Sequence, residues 1–328
     1  MISIGTIIAM TAMATRFNVD MHLNTSSQLS RHLIGLDSEE GLHGGFHELD
    51  EGGTNIAVEY VWAPASGDPR ARVYGLIDQL HDEASRIEGL RLVRSPASAK
   101  LAIDSGEMAM VLAVEGAHAL GEDAWSTTLQ ALHREGVSIL GLAWSFSNIF
   151  AGSSGDSGGG LTELGEELLA QAWRQGILID LSGATKAATM AVCEQSPVPV
   201  IASYSNASAL MAHHRNLTDE EIRCIADTGG VIGVNLHRGF LGGDEDLFQV
   251  IAHIEHITEV AGRDAVGLGS GYDGFIHPAY GLESAADYTE LWRQLRKRGW
   301  REAQIDMVRG DNFFRAWSEV VAWPHRVE

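Results

Sequence analysis

The stretch GILIDLSGATKAATMAVCEQSPVPVIASYS, residues 176–205, contains one complete unit of the predicted fold. Two apolar runs, at 177–182 and 199–204, have the length and the nearly continuous apolar content of buried parallel strands. The segment between them, 185–194, has a helical pattern. Neighbouring parallel strands need a crossover connection, which is usually a helix. The stretch therefore predicts a β–α–β unit.

The same alternation continues along the whole chain of 328 residues. Strands are predicted at 17–22, 55–61, 109–114, 138–143, 177–182, 199–204, 230–235 and 265–270. Helices are predicted at 70–90, 124–135, 161–175, 185–194, 218–228, 246–261, 284–298 and 302–322. The start of one helix is marked by Thr218 and Glu221, which fit a capping box. Eight repeats of strand and helix predict an α/β fold, a TIM-type (β/α)8 barrel.

We expect one domain over residues 1–328, with residues 1–16 as an N-terminal extension and no linker that divides the chain. The glycine- and serine-rich tract at 151–160 follows the fourth predicted strand, which places it on the side of the barrel where active sites lie. It lacks the Lys-Ser/Thr ending of a phosphate-binding loop.

The composition excludes several classes of partner and covalent framework. The net charge of −21 argues against nucleic acid or an anionic membrane as a partner. Two cysteines, Cys193 and Cys224, provide no disulfide framework. The apolar N-terminal run has no positively charged segment before it, so we do not interpret it as a signal peptide. We expect a cytoplasmic protein.

In a barrel of this type the chemical groups lie at the carboxyl ends of the strands. The predicted strand ends place a mixed polar and aromatic set there, which includes His22, Asn24, Trp62, Glu115, Trp144, Gly183, Tyr204, Asn235, His237, Gly271 and Asp273. Only His22 and Glu115 are plausible metal ligands, with His118 and His237 in reserve. Since a catalytic zinc normally has three protein ligands, these residues argue against a strong metal site.

Several motifs in the same order resemble the renal (membrane) dipeptidase family. They include AVEGAHAL (113–120), SGGGLTELGEELL (157–169), PVIASYSNASAL (199–210), HRNLTDEEI (214–222) and GLGSGYDG (267–274). The resemblance covers roughly residues 17 to 318 and implies a metallo-dependent-hydrolase-like barrel. Members of that family are zinc-dependent hydrolases that cleave dipeptides.

Four positions match the functional residues of the family. His22 matches the first residue of its His-x-Asp pair of metal ligands, and Glu115 matches its metal-bridging glutamate. Arg215 matches the arginine that holds the substrate carboxylate, and Asp273 matches the second aspartate of the family's DFDG motif. The resemblance therefore implies that the carboxylate-binding function is retained.

Five other functional positions differ from the family pattern. Asn24 replaces an aspartate ligand, Gly183 and Tyr204 replace histidine ligands, Trp144 replaces a histidine that assists substrate binding, and Gly271 replaces the acid/base aspartate. Glycine has no side-chain ligand atom, tyrosine would have to ionise from a pKa near 10, and an amide oxygen is a weak zinc ligand. We therefore expect no zinc and no other cofactor.

The remaining groups suggest acid/base chemistry on an anion. We expect Glu115, His22 and Tyr204 to be catalytic, and Arg215, Asn24, Trp144, His237 and Asp273 to bind the substrate. Six of these eight residues have a structural alternative. His22 and Asn24 can bond each other, Arg215 can form an ion pair, the two aromatic side chains can fill the pocket, and Asp273 can cap a turn.

Three functions remain open at this stage. The first is a repurposed enzyme that acts without metal on a small carboxylate-bearing, amino-acid- or dipeptide-derived metabolite, in specialised biosynthesis. The second is a zinc dipeptidase with unusual ligands, and the third is a non-catalytic binding or scaffold protein. We favour the first, because a scaffold has no need of Glu115 or Arg215. We also expect a homodimer.

Overall fold

A computed structural model of the chain describes residues 15–32, 34–39, 41–156, 158–274 and 276–327. Except for Thr15 and Arg16, the predicted N-terminal extension lies outside the described residues. No helix within these ranges is both long and apolar enough to cross a membrane.

The strands form a nearly closed parallel barrel, as predicted. They are β1 (Val19–Leu23), β2 (Ile56–Trp62), β3 (Leu90–Val93), β4 (Met108–Glu115), β5 (Val137–Gly141), β6 (Leu178–Asp180), β7 (Ile201–Ala202), β8 (Val231–Val234) and β9 (Val266–Leu268). The hydrogen-bonded order is β1-β2-β4-β5-β6-β7-β8-β9, and every neighbouring pair is parallel. The eight strands of this order correspond to the eight predicted strands.

Helices follow the strands and cover the outside of the barrel. They are α1 (Ser26–His32), α2 (Phe46–Glu51), α3 (Pro69–Arg86), α4 (Pro96–Asp104), α5 (Trp125–Arg134), α6 (Glu163–Arg174), α7 (Lys186–Gln195), α8 (Asp219–Asp227), α9 (Arg238–Leu241), α10 (Leu247–Ala261), α11 (Tyr288–Lys297), α12 (Glu302–Asp306), α13 (Asn312–Ala322) and α14 (Pro324–Val327). The predicted capping box is confirmed, since Thr218 and Glu221 bond each other's backbone N–H groups at the start of α8.

Two predicted helices differ from the structure. Helix α3 ends at Arg86, before a strand, β3, that the sequence analysis missed and that pairs with β4. The predicted helix at 70–90 is wrong at this end because Ile87 takes an extended conformation with a ψ of 113°, and Gly89, with a φ of +89°, then turns the chain into β3. The predicted helix at 302–322 is divided by a π-helical turn, Met307–Asp311, into α12 and α13.

At the ends of β6 and β8, and within β1, a polar side chain accepts a hydrogen bond from the backbone N–H two residues further along. Asp20 accepts from His22 N at 3.0 Å, Asp180 from Ser182 N at 2.9 Å, and Asn235 from His237 N at 2.6 Å. Such a local bond replaces a ladder bond and turns the chain away from the sheet. These turns therefore direct the following residues into the mouth of the barrel.

Asp20 also joins the two ends of the sheet. Its buried carboxylate accepts from Ser270 N at 3.0 Å, from Ser270 Oγ at 2.6 Å and from Tyr288 Oη at 2.6 Å. Beside it, Gly271 N donates to His22 O at 2.8 Å. Burial raises the pKa of Asp20, and the donors around it lower that pKa in part. The contact between β1 and the segment after β9 is thus a satisfied buried polar cluster.

Replacing Asp20 should destabilise the barrel strongly. Asp20→Ala leaves two hydroxyl groups and two backbone N–H groups without their acceptor in a buried place, and we expect a loss of about 3 kcal/mol or more in the free energy of unfolding. Urea unfolding measures the change. Asp78→Ala, at an exposed position of α3, is the matched control and should change stability by less than about 0.5 kcal/mol. Equal effects of the two substitutions would contradict this role.

Candidate active site

A cavity of about 310 Å³ opens at the carboxyl ends of the strands. Its lining contains six of the eight predicted site residues, Asn24, Glu115, Trp144, Tyr204, Arg215 and His237. The other lining residues are Trp62, Ser145, His213, His214, Phe240 and Ile276. The convergence of strand ends in a parallel barrel thus brings together residues that are far apart in the sequence.

Glu115 is the acidic group of this cavity. It ends β4, is only 5% exposed, and accepts a hydrogen bond from the Tyr204 hydroxyl on Oε1 and from Asn24 Nδ2 on Oε2 at 3.3 Å. Burial raises the pKa of Glu115 to about 7, although the Tyr204 hydroxyl and the charge of Arg215 oppose the rise. At neutral pH the carboxyl group is therefore able to give or to take a proton.

His22 lies directly behind Glu115 and is fully buried between two aromatic rings. Its ring stacks on Tyr60 at 3.9 Å and on Tyr204 at 3.6 Å between centroids. Burial, followed by the charge of Arg215, lowers the pKa of His22 well below its usual value. The imidazole is therefore neutral in the folded protein at neutral pH.

The hydrogen bonds around His22 fix its tautomer. Ser203 Oγ donates its single hydrogen to Asp180 Oδ2 at 2.6 Å, since a carboxylate can only accept. Ser203 Oγ also lies 2.8 Å from His22 Nδ1, so it must accept the Nδ1–H there. Nε2 is then a bare acceptor, which has no hydrogen-bond partner among the described residues and lies 3.7 Å from Glu115 Oε1.

Arg215 offers unused hydrogen-bond donors to the cavity. Its guanidinium group lies over the Tyr204 ring, with Cζ 4.6 Å from the centroid. Nη1 and Nη2 are buried and have no hydrogen-bond partner within the described ranges. Two parallel N–H donors of a guanidinium group match the two oxygens of a carboxylate. The position is therefore suited to a ligand carboxylate.

Gly183 makes room for this guanidinium group. The residue has a φ of +83°, and a Cβ atom added to it would lie 3.1 Å from Arg215 Nη1. Because that contact is tight, any larger side chain at this position would press against the arginine. The glycine and the placement of Arg215 therefore depend on each other.

One wall of the cavity is aromatic. Trp62 and Trp144 stack with ring centroids 4.8 Å apart and an interplanar angle of 26°. The glycine-rich loop supports this wall, since Ser153 Oγ donates to Trp144 O and Ser154 N donates to Gly183 O at 2.9 Å. Such a wall suits a flat or apolar part of a ligand.

Two further predicted residues, His237 and Asp273, differ in placement. His237 lines the cavity, and burial lowers its pKa. Asp273 is not part of the lining, and its carboxylate accepts from Thr25 Oγ1 at 2.9 Å, His43 N at 2.7 Å and Gly44 N at 2.9 Å. Both carboxylate oxygens of Asp273 thus bond the loop after β9 to the segments before and after α1, which is a structural role.

Sequence reasoning missed the residues that orient His22. Asp180 and Ser203 end apolar runs in DLS and SYS, and a carboxylate or hydroxyl at the end of a buried strand was the signal that would have identified them. His213 and His214 were also not assigned to the site, and both line the cavity.

Comparisons with known proteins agree with this architecture. A metallo peptidase from Rhodobacter sphaeroides, solved with a phosphinate mimic of the dipeptide L-Ala-D-Ala, is 25% identical and superposes with a TM-score of 0.85, covering 93% of this chain and 99% of that one. The probable dipeptidase PvdM from Pseudomonas aeruginosa has the same fold, with 20% identity, a TM-score of 0.86 and coverage of 93% and 96%.

A protein of Klebsiella pneumoniae, described as an uncharacterized protein in the pqqA 5' region, is 33% identical over 244 residues, which are 70% of this chain and 89% of that protein. The family model named membrane dipeptidase (Peptidase family M19) matches residues 9–327. The barrel fold, the order of the motifs and this match together show that the chain belongs to the membrane dipeptidase family, Peptidase family M19.

Proposed function

We propose that the protein is an enzyme on a dipeptidase scaffold that acts by general acid/base chemistry, without zinc, on a small carboxylate-bearing metabolite derived from an amino acid or a dipeptide. The observation that carries this proposal is the pairing of Arg215, with its two unused donors, and Glu115, whose pKa lies near neutrality, in one cavity. An anion site beside a group that exchanges protons is the arrangement such chemistry needs.

The side chains at the family's metal positions do not fit a catalytic zinc ion. No group of three or more His, Cys, Asp or Glu residues that could hold a metal exists among the described residues. Both oxygens of Glu115 already accept hydrogen bonds from Tyr204 and Asn24, and the place beside Gly183 is taken by the cationic Arg215. Three protein ligands are normally required, so no catalytic step is assigned to zinc.

The proposed mechanism begins with the binding of the substrate carboxylate to Arg215. This contact would hold the neighbouring atoms of the substrate over Glu115, which then removes or donates a proton. The bare Nε2 of His22 lies 3.7 Å from Glu115 Oε1, but burial lowers the pKa of His22 well below its usual value, so the proton stays on Glu115 and the neutral imidazole supports that carboxyl group from behind. Tyr204 donates its single hydroxyl hydrogen to Glu115 Oε1, so it acts on the substrate through the position of that carboxyl group.

The size of the cavity and one relative support the substrate class. A cavity of about 310 Å³ is at the lower end of the range for small-molecule sites. The Rhodobacter sphaeroides metallo peptidase binds a phosphinate mimic of L-Ala-D-Ala, which is a small acid derived from amino acids. The proposal keeps the expectation of a cytoplasmic homodimer in specialised biosynthesis, which neighbouring genes and the native mass would test.

Purified protein should contain well under one zinc ion per chain, because His22 and Glu115 are the remaining candidate ligands at the family's metal positions. Elemental analysis measures the content, and His22→Ala should leave it unchanged. Near-stoichiometric zinc whose removal abolishes activity would contradict the metal-free mechanism.

Removing the guanidinium group of Arg215 should weaken the binding of substrate or product by about 2 kcal/mol or more, because the ligand carboxylate loses its charged partner. Calorimetric titration measures the change, and Arg215→Lys should retain part of the affinity, since it keeps the charge but not the planar fork. Arg223→Ala, at an exposed position of α8, is the matched control. Equal affinity of Arg215→Ala and the control would count against the role of Arg215 in binding the ligand carboxylate.

The raised pKa of Glu115 should be visible in the pH dependence of stability. The folded protein holds this proton up to about pH 7, whereas an ordinary glutamate releases it near 4.5. Its stabilising contribution is therefore complete below about pH 4.5 and is lost as the pH rises to about 7. Glu115→Gln removes this dependence, so the free energy of unfolding of the variant should rise relative to wild type over that interval.

Urea unfolding at a series of pH values tests this expectation. Burial also raises the pKa of Glu59 to about 8, so Glu59 makes the free energy of unfolding depend on pH in a similar way. Because Glu59 is present in both proteins, its contribution cancels in the difference between variant and wild type. A difference between variant and wild type that stays constant with pH would contradict the raised pKa of Glu115.

A further inference from the structure

We infer that the substrate is a dicarboxylate, whose second carboxylate binds to His213 and His237 at the mouth of the cavity while the first binds to Arg215. The inference rests on the proposed function and narrows its substrate class. It stands on the tautomers of the two histidines, on their spacing, and on the scarcity of acceptors in the cavity lining.

The backbone fixes both imidazoles as donors. His213 Nδ1 accepts the N–H of Arg215 at 3.1 Å, and His237 Nδ1 accepts the N–H of His277 at 3.0 Å. A neutral imidazole carries one hydrogen, so in both residues it lies on Nε2. Each side chain therefore presents an N–H donor without having to become charged.

One aromatic side chain holds the two rings in place. The centroids of His213 and His237 each lie 4.5 Å from the centroid of Phe240, and all three residues line the cavity. His214 packs on His213 at 4.3 Å between ring centroids. The histidines thus form one cluster, at the same cavity as Arg215.

Acceptors, by contrast, are scarce in the lining. Glu115 is the acidic side chain of the lining residues, and Tyr204 and Asn24 already donate to both of its oxygens. A free ammonium group beside His213 and His237 would face two N–H donors and the charge of Arg215. One carboxylate of the ligand would bind to Arg215. A second carboxylate would accept hydrogen bonds from the Nε2–H groups of His213 and His237.

The distinction between one and two carboxylates can be measured with glutarate and pentanoate, two acids of equal chain length. Calorimetry or ligand-detected NMR on the intact protein should show glutarate binding at least about tenfold more tightly than pentanoate. His237→Phe, which keeps a ring beside Phe240 but removes the N–H, should abolish most of this preference by weakening the binding of glutarate. His213→Phe with His237→Phe should remove it completely.

His47→Phe, at an exposed position of α2, is the matched control and should preserve the preference. Equal affinities of wild type for glutarate and pentanoate, both lost in Arg215→Ala, would overturn the dicarboxylate inference and leave the proposed function intact. Binding of neither acid, or binding that Arg215→Ala does not weaken, would contradict the carboxylate site itself and therefore both proposals. A preference for glutarate that survives in the double variant would also overturn the role of the histidines.

Discussion

A carboxylate buried at the mouth of a barrel must be protonated, paired with a cation or supplied with hydrogen-bond donors, because it has lost its water. Glu115 imposes this constraint here, and the donors that satisfy it come from other strand ends, Asn24 after β1 and Tyr204 after β7. Those ends meet only because the barrel closes, and Asp20 bonds β1 to the segment after β9. The position of Asn24 beside Glu115 therefore depends on the polar contact that Asp20 makes between β1 and the segment after β9.

Tyr204, Gly183 and Arg215 depend on one another in this cavity. Tyr204 donates to Glu115 and carries the Arg215 guanidinium group on its ring, while Gly183 leaves the space that this guanidinium group needs. A histidine at 183 would bring its Cβ within 3.1 Å of Arg215 Nη1, and a histidine at 204 would have to provide both of the other contacts. Restoring one ligand alone would thus disturb the anion site without completing a metal site, so the effects of such reversions should not be additive.

Much of this arrangement could be predicted from the sequence, and the remainder depended on contacts that a sequence does not contain. The apolar runs identified the strands around the barrel, their ends placed Glu115 and Tyr204 in one cavity, and the family resemblance added Arg215 to it. The short strand β3 was missed because the helical pattern before it continued past Arg86, until Gly89 turned the backbone. Asp273 matched a family motif, but its partners are backbone groups near His43, which only the folded loops bring to it.

On the proposed function, the surroundings of His22 suit both metal binding and proton chemistry. A histidine that binds a metal through Nε2 usually donates its Nδ1–H to a neighbouring group, which fixes the tautomer and the ring orientation. Ser203, held by Asp180, accepts that hydrogen in this chain, so Nε2 remains a bare acceptor beside Glu115. A proton acceptor needs the same tautomer as a metal ligand. On the proposed function, the change from metal to proton chemistry therefore required new groups around Glu115, whereas the support behind His22 could stay as it was.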